Sequence, residues 1–379
     1  MNSLEYVGIE SVKEKLTEFG RTYFDEAGCS LYCNWTCSGV EFSFTGSLLT
    51  GDFISTHTDR IDRIPLSSPP GRLSEGREEI ITPERPVVCV FLDGSDVPYK
   101  RFELCSDKEQ VILFSSEKPE THTVRIVKLT ENFRAALAIR GFLSDGTISA
   151  YAHLFDGTIE FIGDSITCGF GNETNDPGRL FHVEEENGWI THGALVSRRL
   201  NLKPSFICVS GITVSSYPDG FIPGMEELYA FTDRIQDMRF GKTDGFAEWD
   251  FRSAPSDIIV LNLGTNDAVK VFFSEDPDKT EKEFEDRYCA FIKKLRALNG
   301  PDAHIVCALG SLDYYLYDSI LRAAERVRRE TGDKRIYSFK YKKMIVDGRD
   351  FGACSHPSRQ KHADMADELT AFLKKQNIV

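Results

Sequence analysis

Five short apolar runs in the second half of the chain limit its fold more than any other feature. They lie at 158–163, 205–209, 258–263, His304–Leu309 and 335–339. Short runs without polar alternation suit strands covered on both faces. Helical periodicity separates them: Phe284, Tyr288, Ile292, Leu295 and Leu298 recur in one interval, and Ala366, Leu369 and Leu373 in the last segment. Strand–helix alternation predicts a three-layer α/β unit around a five-stranded parallel sheet. Sheets of this type place their chemistry outside the carboxyl ends of the strands.

The first part of the chain follows a different rule. Val40, Phe42 and Phe44 alternate with Glu41, Ser43 and Thr45, the period of a half-buried strand. Further short strands are expected at 86–92, 101–105, 110–115, 122–129 and 135–143, with Asp93-Gly94 and Asp145-Gly146 as turns. Many short strands predict an all-β sandwich, jelly-roll-like. The stretch 55–83 is rich in Pro, Ser, Arg and Gly and reads as a long loop. The change of pattern within 146–157 divides the chain into a β unit, 1–150, and an α/β unit, 151–379.

A net charge of −14 makes nucleic acid and acidic membrane surfaces poor partners. No run of about 18 apolar residues is present to span a membrane. Met1-Asn2-Ser3-Leu4-Glu5-Tyr6-Val7 has neither the basic nor the apolar region of a signal peptide, so a cytoplasmic protein is expected. The ten cysteines then read as reduced thiols. Cys29, Cys33 and Cys37 stand four apart, unlike the two-residue gap of usual zinc ligand pairs, and no metal is expected there.

Four stretches of the α/β unit carry chemistry. Apolar residues from Ile159 to Ile162 run into Gly163-Asp164-Ser165, and a glycine-rich segment through Gly169 and Gly171 follows. Such a turn presents the Ser165 hydroxyl at a strand end as a nucleophile. An acyl-transfer serine needs a base and oxyanion donors. Among eight histidines, His356 is favoured as base: it lies in Cys354-Ser355-His356-Pro357, after the last strand, and Pro357 suits the start of a helix. His362, six residues on, is the alternative. The Gly211 amide after the second apolar run, and the Asn266 side chain in Gly264-Thr265-Asn266-Asp267 after the third, are the oxyanion candidates.

Taken in order, Gly163-Asp164-Ser165, Gly211, Gly264-Thr265-Asn266-Asp267 and His356-Pro357 resemble the four blocks of the SGNH (GDSL-type) hydrolases. The resemblance implies Ser165 as nucleophile, His356 as base, and the Ser165 and Gly211 amides with the Asn266 side chain as oxyanion hole. Trp35 to Gly46, Thr121 to Glu131 and Phe161 to Gly169 are similar to motifs of the second family of carbohydrate esterases. Its members join a β-sandwich to an SGNH domain and remove O-acetyl groups from plant polysaccharides such as xylan and mannan, often at the 6-O position. The resemblance implies no metal or organic cofactor. The expected substrate is therefore an acetylated oligosaccharide. A lipid or other small ester, or glycan binding without turnover, are the alternatives.

The sequence departs from that family at the base. Members often carry Asp-Trp-His-Pro, and other SGNH enzymes place an aspartate three residues before the histidine. Here Cys354 and Ser355 precede His356, and position 353 is Ala. Two arrangements fit: a backbone carbonyl orients His356 in a Ser–His dyad, or Asp350 folds back as the third member of a triad.

Overall fold

The computed structural model describes residues 3–65, 77–216, 222–346 and 348–379. Both expected regions are present. Ten strands of the first region form one antiparallel sheet, of which Thr147–Ser149 is the last. It is built on two long strands, Gly39–Ser55 and Lys108–Lys128, paired with each other over most of their lengths. The strands expected separately at 110–115 and 122–129 are thus one. The interruption that the sequence registers at Glu117-Lys118-Pro119 is an irregularity between Ser115 and Glu120, where the chain slips register without leaving the sheet.

The stretch 55–83, expected as a loop, holds two strands instead. Thr58–Pro65 and Arg77–Glu84 pair antiparallel as a two-stranded arm, while residues 66–76 lie outside the described residues. No apolar alternation marks this strand pattern: Ile61, Ile80 and Ile81 are exposed, and the buried residue near its end is Glu84.

The second region holds five parallel strands in the order Leu202–Cys208, Gly157–Gly163, Ile258–Asn262, His304–Leu309, Ile336–Lys340. Successive side chains alternate between its two faces. Ile162, Ile207, Ile259, Leu261, Ile305 and Cys307 meet helices Pro277–Asn299 and Tyr317–Thr331. Phe161, Phe206, Val260, Val306 and Ala308 meet helices His192–Arg199 and Arg359–Lys375. This gives the three layers. The last helix starts at Arg359, with Ser358 as its cap accepting the Lys361 N–H, so Pro357 stands just before the cap rather than in the first turn.

The two regions share their cores. Trp35 of the first is buried in the same apolar cluster as Ile162, Ile207 and Val209, and its indole N–H donates to the Thr232 carbonyl at 2.8 Å. Val87, Phe91, Val127 and Leu129 pack with Phe161 and Trp189 on the other face. Buried polar groups complete the contact: Arg21 reaches Glu160 and the Phe231 carbonyl, and Asn34 and Asn132 both donate to Asp233. Among the described residues, no helix is long and apolar enough to cross a membrane.

Candidate active site

Three adjacent strands set the site. Gly163 is in register with Cys208 on one side and Asn262 on the other. Ser165, Gly211 and Asn266 each follow within a few residues, so all three leave the sheet at one edge, where neighbouring strands stand about 4.8 Å apart. Ser165 opens the short helix Ser165–Cys168, capped by Asp164, whose carboxylate accepts the Ile166 N–H at 3.0 Å. First-turn N–H groups have no intrahelical acceptor, which leaves the Ser165 amide available. Burial pushes the Asp164 carboxyl up to about 7.

The Ser165 Oγ lies 2.9 Å from His356 Nε2. On the far side of the ring, His356 Nδ1 lies 3.1 Å from the carbonyl oxygen of Cys354. A carbonyl only accepts, so Nδ1 carries the ring proton and Nε2 presents its lone pair to the serine hydroxyl. Burial lowers the His356 pKa from its ordinary value, opposed by the Cys354 and Ala353 carbonyls and by the charge of Glu131. The lowered pKa favours the neutral ring.

The backbone explains the unusual partner. Cys354 and Ser355 both take left-handed conformations, with φ of 49° and 60°, and the tight loop turns the Cys354 carbonyl back toward the ring two residues on. The loop is sewn to the segment after Ser165. Ala353 N donates to Gly171 O at 2.9 Å, Cys354 N to Arg179 O at 3.1 Å, and Arg359 N to Asn172 O at 3.1 Å. Gly352 permits this: a Cβ there would stand 2.2 Å from the Gly171 carbonyl oxygen.

Asp350 is not in this arrangement. Its buried carboxylate accepts the Ile345 N–H at 3.0 Å and stands 3.9 Å from the Lys361 ammonium. A six-residue separation from the histidine left room for it to fold back. Instead it ties the segment before the loop to the last helix. His362 is buried against His192 with parallel rings 5.5 Å apart, and burial holds both rings far below the ordinary histidine pKa, so they serve as core.

Gly211 sits at φ +80°, a conformation that favours glycine, and its N–H has no acceptor among the described residues. The Thr265-Asn266-Asp267 turn grips the chain just beyond it. Asn266 Nδ2 donates to the Ile212 carbonyl at 3.0 Å, and Asp267 accepts the Val214 N–H at 3.1 and 3.2 Å. Burial pushes the Asp267 carboxyl up to about 7. The bond to Ile212 fixes the orientation of the Asn266 amide.

The sequence profile of the GDSL-like lipase/acylhydrolase family matches residues 161–362, more than half of the chain. The chain belongs to this family. Its GDSL-type motif, Gly163-Asp164-Ser165, is the turn just described. A cellulase/esterase CelE of Acetivibrio thermocellus is 31% identical over 291 residues, which cover 75% of this chain but 33% of that protein. The chain thus spans about a third of the length of that relative. An acetylxylan esterase/glucomannan deacetylase of Cellvibrio japonicus is 25% identical over 73% of each chain. Among solved structures, a family two carbohydrate esterase from Clostridium thermocellum, in complex with cellohexaose, superposes with a TM-score of 0.78 at 25% identity, covering 96% of this chain and all of that one. An acetyl xylan esterase from Butyrivibrio proteoclasticus superposes with a TM-score of 0.80 over 98% of both chains, at 22% identity.

Two residues at this GDSL-type centre escape the sequence reading. Phe170 stacks on Phe181, with ring centroids 3.8 Å apart, and lies tilted against the His356 ring at 4.5 Å. Its one signal is an aromatic between two glycines, Gly169 and Gly171. Glu131 comes from the other region and meets the loop before Gly211, with its Oε2 accepting the Ser210 N–H at 2.7 Å. It ends the Thr121–Glu131 stretch that carries part of the family resemblance, which assigned it no role at this site.

Proposed function

We propose that the chain is a serine esterase that removes O-acetyl groups from plant-derived oligosaccharides such as xylan or mannan fragments. The observation that carries this reading is the 2.9 Å approach of Ser165 Oγ to His356 Nε2, at the strand edge that also holds the Gly211 amide and Asn266. The names of the relatives, a cellulase/esterase and an acetylxylan esterase/glucomannan deacetylase, support the sugar acetyl group as substrate.

In this mechanism Ser165 Oγ attacks the acetyl carbonyl carbon while His356 Nε2 takes its proton. The developing oxyanion is met by the Ser165 and Gly211 amides and by Asn266. His356 then delivers the proton to the departing sugar oxygen. Water, deprotonated by the same nitrogen, attacks the acetyl-enzyme, and acetate leaves. The His356 cation formed on the way is stabilised by the Cys354 carbonyl, a dipole in place of a carboxylate. Glucan bound without turnover is a second reading, supported by the cellohexaose complex of the Clostridium thermocellum structure.

Acetate release from acetylated manno- and xylo-oligosaccharides tests the substrate class. Turnover of these, and faster hydrolysis of acetyl than of octanoyl nitrophenyl ester, is expected. Faster octanoyl turnover would assign the site to lipid esters, and inhibition by cellohexaose with no acetate release would favour the glucan reading.

A further inference from the structure

We infer that Glu131, from the antiparallel region, is a positioning residue for the oxyanion donor at Gly211. The inference rests on the esterase reading above. Glu131 is fully buried, and its Oε2 accepts the Ser210 N–H at 2.7 Å, one residue before the Gly211 amide. This carboxylate reaches the strand edge from the other half of the chain and fixes one peptide of the turn that carries the donor.

Glu131 is itself held on every side. Its Oε1 accepts from Arg134 Nε at 2.9 Å, and Arg134 pairs in turn with Glu84 at 2.8 Å. Its own N–H donates to Glu186 Oε2 at 2.7 Å, and its carbonyl accepts from the buried Lys128 ammonium at 2.9 Å. A carboxylate fixed through backbone and side chain alike holds its acceptor oxygen at one point. Hydrogen bonds to an ionised acceptor are about twice as strong as neutral ones. The Ser210 amide is pinned, the Ile212 carbonyl accepts from Asn266 and the Val214 amide donates to Asp267, while the Gly211 N–H between them has no acceptor among the described residues.

The arrangement gives the antiparallel region a part in catalysis besides packing. Preorganised donors contribute to rate because they need no reorientation as charge develops. A donor turn free to rotate would lose that advantage without weakening ground-state binding of the sugar.

The test uses the full chain with nitrophenyl acetate and with methylboronic acid, whose tetrahedral adduct with a serine hydroxyl mimics the oxyanion. For Glu131→Ala, kcat should fall about 10- to 100-fold with KM within about threefold, and the boronic acid should bind more weakly by a comparable factor. Glu131→Gln, which keeps an acceptor oxygen, should recover part of the loss. Unchanged kcat and boronic acid affinity in folded Glu131→Ala would overturn the inference, as would a rise in KM with boronic acid affinity intact. Amide hydrogen exchange on the wild-type chain decides the matter if that variant does not fold. The Ser210 amide should be protected about 100-fold or more and the Gly211 amide hardly at all; equally fast exchange at both would overturn the pin. Ser165→Ala is the parallel control: turnover retained there sinks the esterase reading, whereas turnover lost there but kept in Glu131→Ala sinks the positioning role alone.

Discussion

His356 Nδ1 faces the carbonyl oxygen of Cys354 at 3.1 Å, so a peptide dipole two residues away occupies the place that a carboxylate holds in a Ser-His-Asp triad. The left-handed backbone at Cys354 and Ser355 makes this contact possible and fixes the tautomer that aims Nε2 at Ser165. A backbone carbonyl orients the ring and keeps its proton on Nδ1, the two tasks that matter most before the reaction starts.

If the carbonyl does this work, neutralising the nearest upstream acid should leave catalysis intact. Asp350→Asn is expected to keep kcat within about threefold of wild type, against the roughly 10⁴-fold loss when a triad aspartate is replaced. Its thermal midpoint should fall, because the Asp350 carboxylate accepts the Ile345 N–H and stands against Lys361 in the interior. A 10⁴-fold loss of kcat in a folded variant would restore Asp350 to the machinery.

The same ring sets the pH dependence. Burial lowers the His356 pKa, so the neutral base persists to lower pH than an ordinary histidine allows. Activity is present above that pKa and is lost as pH falls through it. The acid limb of kcat/KM should therefore have its midpoint below about 6.5, the unperturbed histidine value. A midpoint above 7 would mean that a nearby negative charge dominates the ring.

Gly352 offers a way to displace the base without touching it. A methyl group there would stand 2.2 Å from the Gly171 carbonyl oxygen, and its nearest neighbours, on Gly171 and Thr174, are all backbone atoms. Gly352→Ala should push the histidine loop away from the nucleophile segment and lower kcat about tenfold or more, with circular dichroism unchanged. Wild-type turnover would show that the loop's seam with Gly171 is not what places His356.

Trp35 tests whether the two regions fold as one. Its side chain leaves the antiparallel region and is buried in the core of the parallel-sheet region. Trp35→Ala should cost about 3–5 kcal/mol in urea unfolding, in a single transition followed equally by both regions. Two separate transitions would contradict a shared core.

Much of this architecture is legible in the sequence because its signals are local. The five parallel strands fall within a few residues of their apolar runs, since strands covered on both faces must be continuously apolar. Ser165 and His356 come together as their placement after separate strands suggests. What stays hidden depends on contacts between distant residues. In the arm Thr58–Pro65 with Arg77–Glu84, the inward positions Thr58, Arg60, Thr82 and Glu84 are polar and Ile61, Ile80 and Ile81 are exposed, so they write no apolar alternation. The long strand Lys108–Lys128 is masked by an irregularity containing a proline. Neither Glu131 beneath Ser210 nor Phe170 on His356 belongs to a spacing rule; each is defined by a neighbour that only the folded chain supplies.

The central claim is that Ser165 carries the acetyl group. Rapid quenching of the chain with acetylated oligosaccharide, followed by mass mapping of its peptides, measures this directly. An acetyl group on Ser165 is expected during turnover, together with a fall in acetate release of about 10⁴-fold or more in Ser165→Ala. Acetate release at the wild-type rate in Ser165→Ala, or an acetyl group captured on another side chain, would contradict the account.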